Sequence, residues 1–200
     1  SVLYGSMEGA LRVLDASTGA EQMVFVPSEI LKDTLASKAL RKSESDANGA
    51  VAGIGGAWIV DSDYQVTSES TDTTSVSARK MNVYGGMRMG GKSYYGLDML
   101  QPAAPKFLFK IAGGVNGTAG FERMGQTWSK PVLANIRYND KITRVMIVGG
   151  GYDMCYENPR FTLNAANPSE YGGGGCKKAE AEGNAVYIIN ADTGERIWWA

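Results

Sequence analysis

The sequence predicts a mainly β fold, a segment of a β-propeller built from antiparallel meanders, with one inserted helix and long loop insertions. Three observations predict it. A unit consisting of an apolar run ending in Gly, a second apolar run ending in Asp or Asn, a short turn and a third apolar run occurs three times. Glycine is 26 of 200 residues, about twice its usual share, so the chain is rich in tight turns. The runs themselves are short and β-branched or aromatic, the composition of strands.

The first unit is Val2–Gly5, Ala10–Asp15 and Met23–Val26. The second is Val83–Gly85, Tyr94–Asp98 and Phe107–Ile111, and the third Val145–Gly149, Ala185–Asn190 and Ile197–Trp199. Asp15 and Asn190 are placed to accept from amides two residues on, and Gly19 and Gly194 to adopt positive φ. A meander of three or four strands cannot bury both faces alone, so stacked copies point to a radial array. Asp15 and Asp98 stand 83 positions apart and Asp98 and Asn190 92, about twice a standard blade, so insertions or a degenerate blade fill the gaps. The organisation read from this is one partial domain over 1–200: a blade remnant at 1–27, a helical insertion at 28–56, a blade region at 57–111 and a second at 127–200 that carries two cysteines.

The insertions have distinct chemistry. Residues 28–42 read as one helix, with Ser28 as N-cap, Glu29 in its first turn, basic Lys38, Arg41 and Lys42 towards its end, and Ile30, Leu31 and Leu35 as its buried stripe. Asp61 to Ala78 is a Ser/Thr-rich polar stretch, and Tyr152 to Gly183 a long Gly-rich loop.

Composition excludes several functions. With 44% hydrophobic and 20% charged residues the chain can build a core. A net charge of -1 lacks the basic surplus that nucleic-acid binding needs. Without histidine, Ser-His-Asp, Cys-His and His-zinc sites are impossible. No apolar run reaches the length of a membrane helix, and the first residues have neither the basic nor the apolar region of a signal peptide. The chain is expected to be an excerpt of a larger mature protein.

Three motifs invite chemistry. Gly86 to Ser93 satisfies G-x-x-x-x-G-K-[ST], with Gly86, Gly91, Lys92 and Ser93 at the phosphate-loop positions. That loop requires a helix to start at the Lys-Ser, whereas Tyr94–Asp98 is strand-like, so the match is read as a chance one and Lys92 is expected to face solvent or a carboxylate. Asp61, Asp63 and Asp72 fall at positions 1, 3 and 12 of a calcium-loop spacing, but Val66 occupies the glycine position and Asp72 replaces the bidentate Glu. A solvated acidic loop is the preferred reading of these three, with calcium the weak alternative. Asp153, Glu157 and Asp192 read as unpaired surface carboxylates. Cys155 and Cys176, 21 positions apart in a polar insertion, fit a disulfide better than two buried thiols, which implies an oxidising compartment and about 3 kcal/mol of loop-closure stabilisation. No catalytic constellation emerges.

Three blocks in order resemble the PilC/PilY family: Gly9–Glu21 leading to Leu31, Gly85–Asp98 with its paired glycines and Tyr94-Tyr95-Gly96-Leu97-Asp98, and Gly149–Asp153 followed by Gly183–Glu195. The resemblance implies the family's modified β-propeller and a role in type IV pilus assembly and extension, with tip adhesion in several members. It implies minor pilins, the pilus tip and a host-cell receptor as partners, and an exported location spanning periplasm, outer membrane and pilus tip. The family's D-x-D-x-N-x-D calcium loop is absent from this chain, so no cofactor is assigned to it, calcium belonging to the full-length protein. An alternative of another class rests on Asp192-Thr193-Gly194-Glu195 and Trp198, which also resemble the blade turns of quinoprotein dehydrogenases that hold pyrroloquinoline quinone. Vicinal cysteines and a clear acid–base pair are missing for it.

Overall fold

The computed structural model describes residues 1–41, 51–68, 73–159, 161–163, 176 and 178–200. Three antiparallel meanders form three sheets. Sheet 1 is β1 (Val2–Gly5), β2 (Leu11–Leu14) and β3 (Glu21–Phe25). After two short helices, α1 (Ser28–Lys32) and α2 (Thr34–Leu40), sheet 2 comprises β4 (Trp58–Ser68), β5 (Thr74–Gly86), β6 (Ser93–Asp98) and β7 (Lys106–Ala112). Sheet 3 comprises β8 (Val132–Tyr138), β9 (Lys141–Gly149), β10 (Val186–Asn190) and β11 (Arg196–Trp199). The repeat units supply three strands of each sheet, and β4 and β8 add a fourth to sheets 2 and 3. Among the described residues the sheets do not close a ring.

Sheet 2 is the middle layer, and strand alternation explains why. Val83 and Leu97 pack against Leu11, Val13 and Met23 of sheet 1, while Tyr84, next to Val83, and Tyr94, three residues before Leu97, point the other way, into the cluster with Met146, Tyr187 and Ile189 of sheet 3. The connection from β7 to β8 contributes as well: Phe121 and Met124 are fully buried in the same cluster, and the Phe121 ring lies 5.1 Å from that of Tyr187.

The turns that close the units carry their sequence signature. The Asp15 carboxylate accepts from the Ser17 and Thr18 amides at 2.9 Å, and Asn190 accepts from those of Asp192 and Thr193 at 2.9 and 3.2 Å. Gly19 and Gly194 follow with φ of 72° and 76°. The Ser17 hydroxyl, donating at 2.5 Å, together with these amides holds the Asp15 carboxyl well below its ordinary range.

The inserted helix differs from its expectation. It is two helices broken at Asp33, whose extended backbone ends α1 and whose carboxylate accepts from the Ala36 amide at 2.7 Å, capping α2. A side chain suited to an N-cap terminates one helix by starting another. Ser28 lies inside α1, whose N-cap position is Pro27, and Lys42 falls outside the described residues. Ile30 is buried, but Leu31 and Leu35 are 58% and 59% exposed; Ala36 completes the docking face against Met87 and Tyr95. Ile30→Ala should therefore destabilise the protein by about 2 kcal/mol, and Leu31→Ala by less than about 0.5 kcal/mol, in matched denaturant titrations.

Glu29 fixes α1 to sheet 2. Its carboxylate accepts from Ser93 Oγ at 2.5 Å and from the Tyr95 hydroxyl, and pairs with Lys110 Nζ at 2.7 Å. Burial disfavours the charge, but Lys110, Ser93 and Tyr95 outweigh it and bring the carboxyl down to about 2. A folded-state value below that of the unfolded chain means stability present above about pH 4.5 and lost as pH falls towards 2. The contribution is about 1–2 kcal/mol, since the carboxylate is partly exposed. Melting curves from pH 6 to 2 should show a smaller acid-induced loss in Glu29→Gln than in the parent protein.

Candidate functional site

Two acidic positions of the calcium-like spacing, Asp61 and Asp63, lie on a strand. Asp61 and Asp63 are two residues apart on β4, in register with Asn82 and Lys80 of β5, so their backbone is extended and does not curl around an ion. The Asp61 carboxylate receives Arg144 Nη2 at 2.7 Å and Nε at 3.2 Å from β9, and Lys80 Nζ at 2.9 Å from β5. Lys80 also reaches Asp192, at 3.3 Å, in the β10–β11 turn. Burial opposes the Asp61 charge, but these two cations outweigh it and lower its pKa. Asp63 pairs with Arg79 at 2.7 Å, and Asp72 lies outside the described residues. What Asp61 builds is a clamp between sheets 2 and 3. Asp192, expected to be unpaired, belongs to it.

The phosphate-loop match falls at the β5–β6 junction. Gly86 ends β5, Arg88–Gly90 form a single 3-10 turn, and Ser93 opens β6, so no helix begins at Lys92 and Ser93. Lys92 Nζ lies 2.6 Å from Glu182, and Ser93 donates to Glu29. The glycines have a packing reason: a Cβ on Gly90 would stand 1.8 Å from the Gly53 carbonyl oxygen, and one on Gly86 2.6 Å from Thr127 Oγ1. Gly91 is extended, a conformation open to any residue.

Cys155 and Cys176 are bonded, with an S–S distance of 2.10 Å and Cα atoms 5.7 Å apart. Both are buried with Phe161, whose ring lies 4.9 Å from that of Tyr156. Beside the disulfide stands a second closure. Asp153, read from sequence as an unpaired surface carboxylate, is only 3% exposed. It accepts from the Cys155 and Glu182 amides at 3.1 Å and pairs with Lys178 at 2.9 Å, so one carboxylate ties both ends of the insertion together. Burial raises its pKa, but Lys178 and the two amides outweigh that and lower it. Lys178 approaches Glu182 at 3.4 Å, and Glu182 holds Lys92, so the neck of the loop is joined to the β5–β6 junction. Glu157 is exposed.

One surface group went unread in the sequence. Arg88, with φ of 58°, places its guanidinium 4.3 Å from the centre of the Trp128 ring, and Trp128 meets Tyr152 edge to face at 6.3 Å. Positive φ at an arginine has no sequence signal. The exposed rings sit where the disulfide-bounded insertion leaves β9, an apolar and cationic surface suited to contact.

Among the described residues, no group of three or more Asp, Glu or Cys is placed to hold a metal ion, and no helix is long and apolar enough to cross a membrane. No protein-family model matches the chain, and no curated protein does. A mainly β domain of stacked antiparallel meanders with a disulfide-bearing insertion is the class these features define. Among solved structures, the chain is similar to the C-terminal domain of PilY1 from Pseudomonas aeruginosa, at 19% identity and a TM-score of 0.55 over 98% of this chain. The likeness is one of fold, and the chain spans 28% of the length of that structure's chain.

Proposed function

We propose that this chain is a segment of a modified β-propeller of the PilC/PilY kind, acting as a non-catalytic contact scaffold in type IV pilus assembly and extension and at the pilus tip. The observation that supports the reading is the likeness of fold to the PilY1 C-terminal domain across 98% of the chain. On this reading the protein is exported to the periplasm, outer membrane and pilus tip, and its partners are minor pilins and a host-cell receptor. The quinoprotein alternative draws support from the turn motif alone, because fold does not fix function.

The contact elements are the loops. The insertion between the cysteines is rich in Gly, Asn and Tyr, a composition suited to adaptable contact surfaces, and it is closed at its neck by both the disulfide and the Asp153–Lys178 pair. Deleting 159–172 in the chromosomal gene while keeping both cysteines should leave a folded, secreted protein and reduce piliation or adherence. Normal twitching, piliation and host-cell binding in that strain would overturn the loop assignment.

A further inference from the structure

The disulfide and the buried ion pair beside it close the same insertion, one inside the other. Asp153 stands two residues before Cys155, and Lys178 two residues after Cys176. Their 2.9 Å contact therefore brackets the S–S bond from its outer side. The bond closes the loop without this help, and burying two charges costs desolvation of both. A purely structural neck would have no need of the second closure.

The pair is built unlike the others. With 2% of the Asp153 side chain and 14% of the Lys178 side chain exposed, it is the most buried ion pair among the described residues. The Asp153 carboxylate caps the 3-10 turn Met154–Glu157 by accepting from the Cys155 amide at 3.1 Å, so it sets the direction in which the Cys155 side chain leaves the backbone. Its other oxygen accepts from the Glu182 amide at 3.1 Å. Glu182 in turn approaches Lys178 at 3.4 Å and holds Lys92 at 2.6 Å, which anchors the assembly to the β5–β6 junction and not to the loop.

None of these contacts uses a sulfur atom, so all of them can form before the bond does and outlast its reduction. Two thiols at the ends of an open loop meet only as often as the loop closes by chance, whereas a bracket two residues outside each thiol has already met most of that entropic cost. Coupling of this kind is reciprocal: whatever holds the neck closed favours the disulfide by the same factor as the disulfide favours the closed neck. Cys155 and Cys176 are buried with Phe161, a cluster that also suits two reduced thiols, since free Cys behaves as a small hydrophobe.

We infer that Asp153 and Lys178 are positioning residues for the disulfide: their pair closes the neck in the reduced chain, brings the two thiols together for oxidation, and keeps the base of the loop in place when the bond is reduced. This holds whatever the loop contacts. With oxidised glutathione as the oxidant, one cysteine thiolate attacks it and releases one glutathione. The second thiolate then attacks the mixed disulfide and releases the other, the two cysteine protons passing to the two glutathione thiolates.

The test is equilibration of the protein in buffers of reduced and oxidised glutathione at fixed pH, with thiols trapped by alkylation and counted by intact mass. The midpoint gives the effective concentration of one thiol at the other. Asp153→Asn/Lys178→Met, which removes both charges and leaves neither unpaired, is expected to lower it at least about tenfold. Lys178→Arg should retain most of it. Val13→Ala, a core truncation in sheet 1 away from the neck, should leave it unchanged and so separates positioning from general loss of stability. In Cys155→Ala/Cys176→Ala the amides at positions 155 and 182 should still exchange slowly with solvent deuterium. An unchanged midpoint in the double charge variant, an equal fall in Val13→Ala, or fast exchange at those two amides in the cysteine-free protein overturns the inference.

Discussion

Asp153→Ala should lower the unfolding free energy by about 3–5 kcal/mol, the range for removing one member of a buried ion pair. The substitution strips Lys178 of its 2.9 Å partner and leaves the Cys155 and Glu182 amides without their acceptor. At this chain length the melting temperature should fall by about 10 °C. The contrast with Asp63 isolates burial as the cause: Asp63 also pairs with an arginine at 2.7 Å, but both side chains are more than half exposed, so Asp63→Ala should change stability by less than about 1 kcal/mol. Equal effects of the two variants in denaturant titrations would refute the neck as a buried closure. A second variant, Lys178→Met, removes the other charge and reads out the same junction from its other side.

Phe121→Ala should cost about 3–5 kcal/mol, comparable to the loss at Asp153 but through a cavity. Phe121 is 1% exposed and sits in the cluster where Tyr84, Tyr94 and Phe109 of sheet 2 meet Met146 and Tyr187 of sheet 3. The residue comes from a connection, not a strand, so the neighbouring sheets cannot close the space without moving against each other. Phe121→Leu, which refills most of the volume, should recover the greater part of the loss. If Phe121→Ala were near-neutral, the two sheets would not be packed through this connection.

These two residues also mark what sequence reasoning missed. The three units, the Asx turns at Asp15 and Asn190 and the glycines at 19 and 194 were legible because they depend on neighbours two to four residues away. A period of two likewise announces a strand whatever surrounds it. Phe121 carries no such signal: in a glycine-rich connection it reads as an isolated aromatic, and only the approach of two sheets makes it core. The helix at 28–42 failed for a related reason, since Leu31 and Leu35 satisfy the spacing of a buried stripe, while Asp33 breaks the helix and Ile30 and Ala36 are what dock.

The candidate site divides in the same way. Composition alone removed histidine chemistry, and the strand-like residues after Lys92 argued against a phosphate loop, because helix formation is a local property. The partners of the charges were not local. Asp61 meets Arg144 across 83 positions of sequence, and Lys92 meets Glu182 across 90. Asp153 meets Lys178 across 25, with a disulfide between them. The sequence by itself determined the meanders, their turns and the classes of chemistry the chain lacks. The tertiary structure alone decided which carboxylates became clamps and which apolar residues stayed exposed, because ion pairing and burial depend on distances that only the stacking of the three sheets sets.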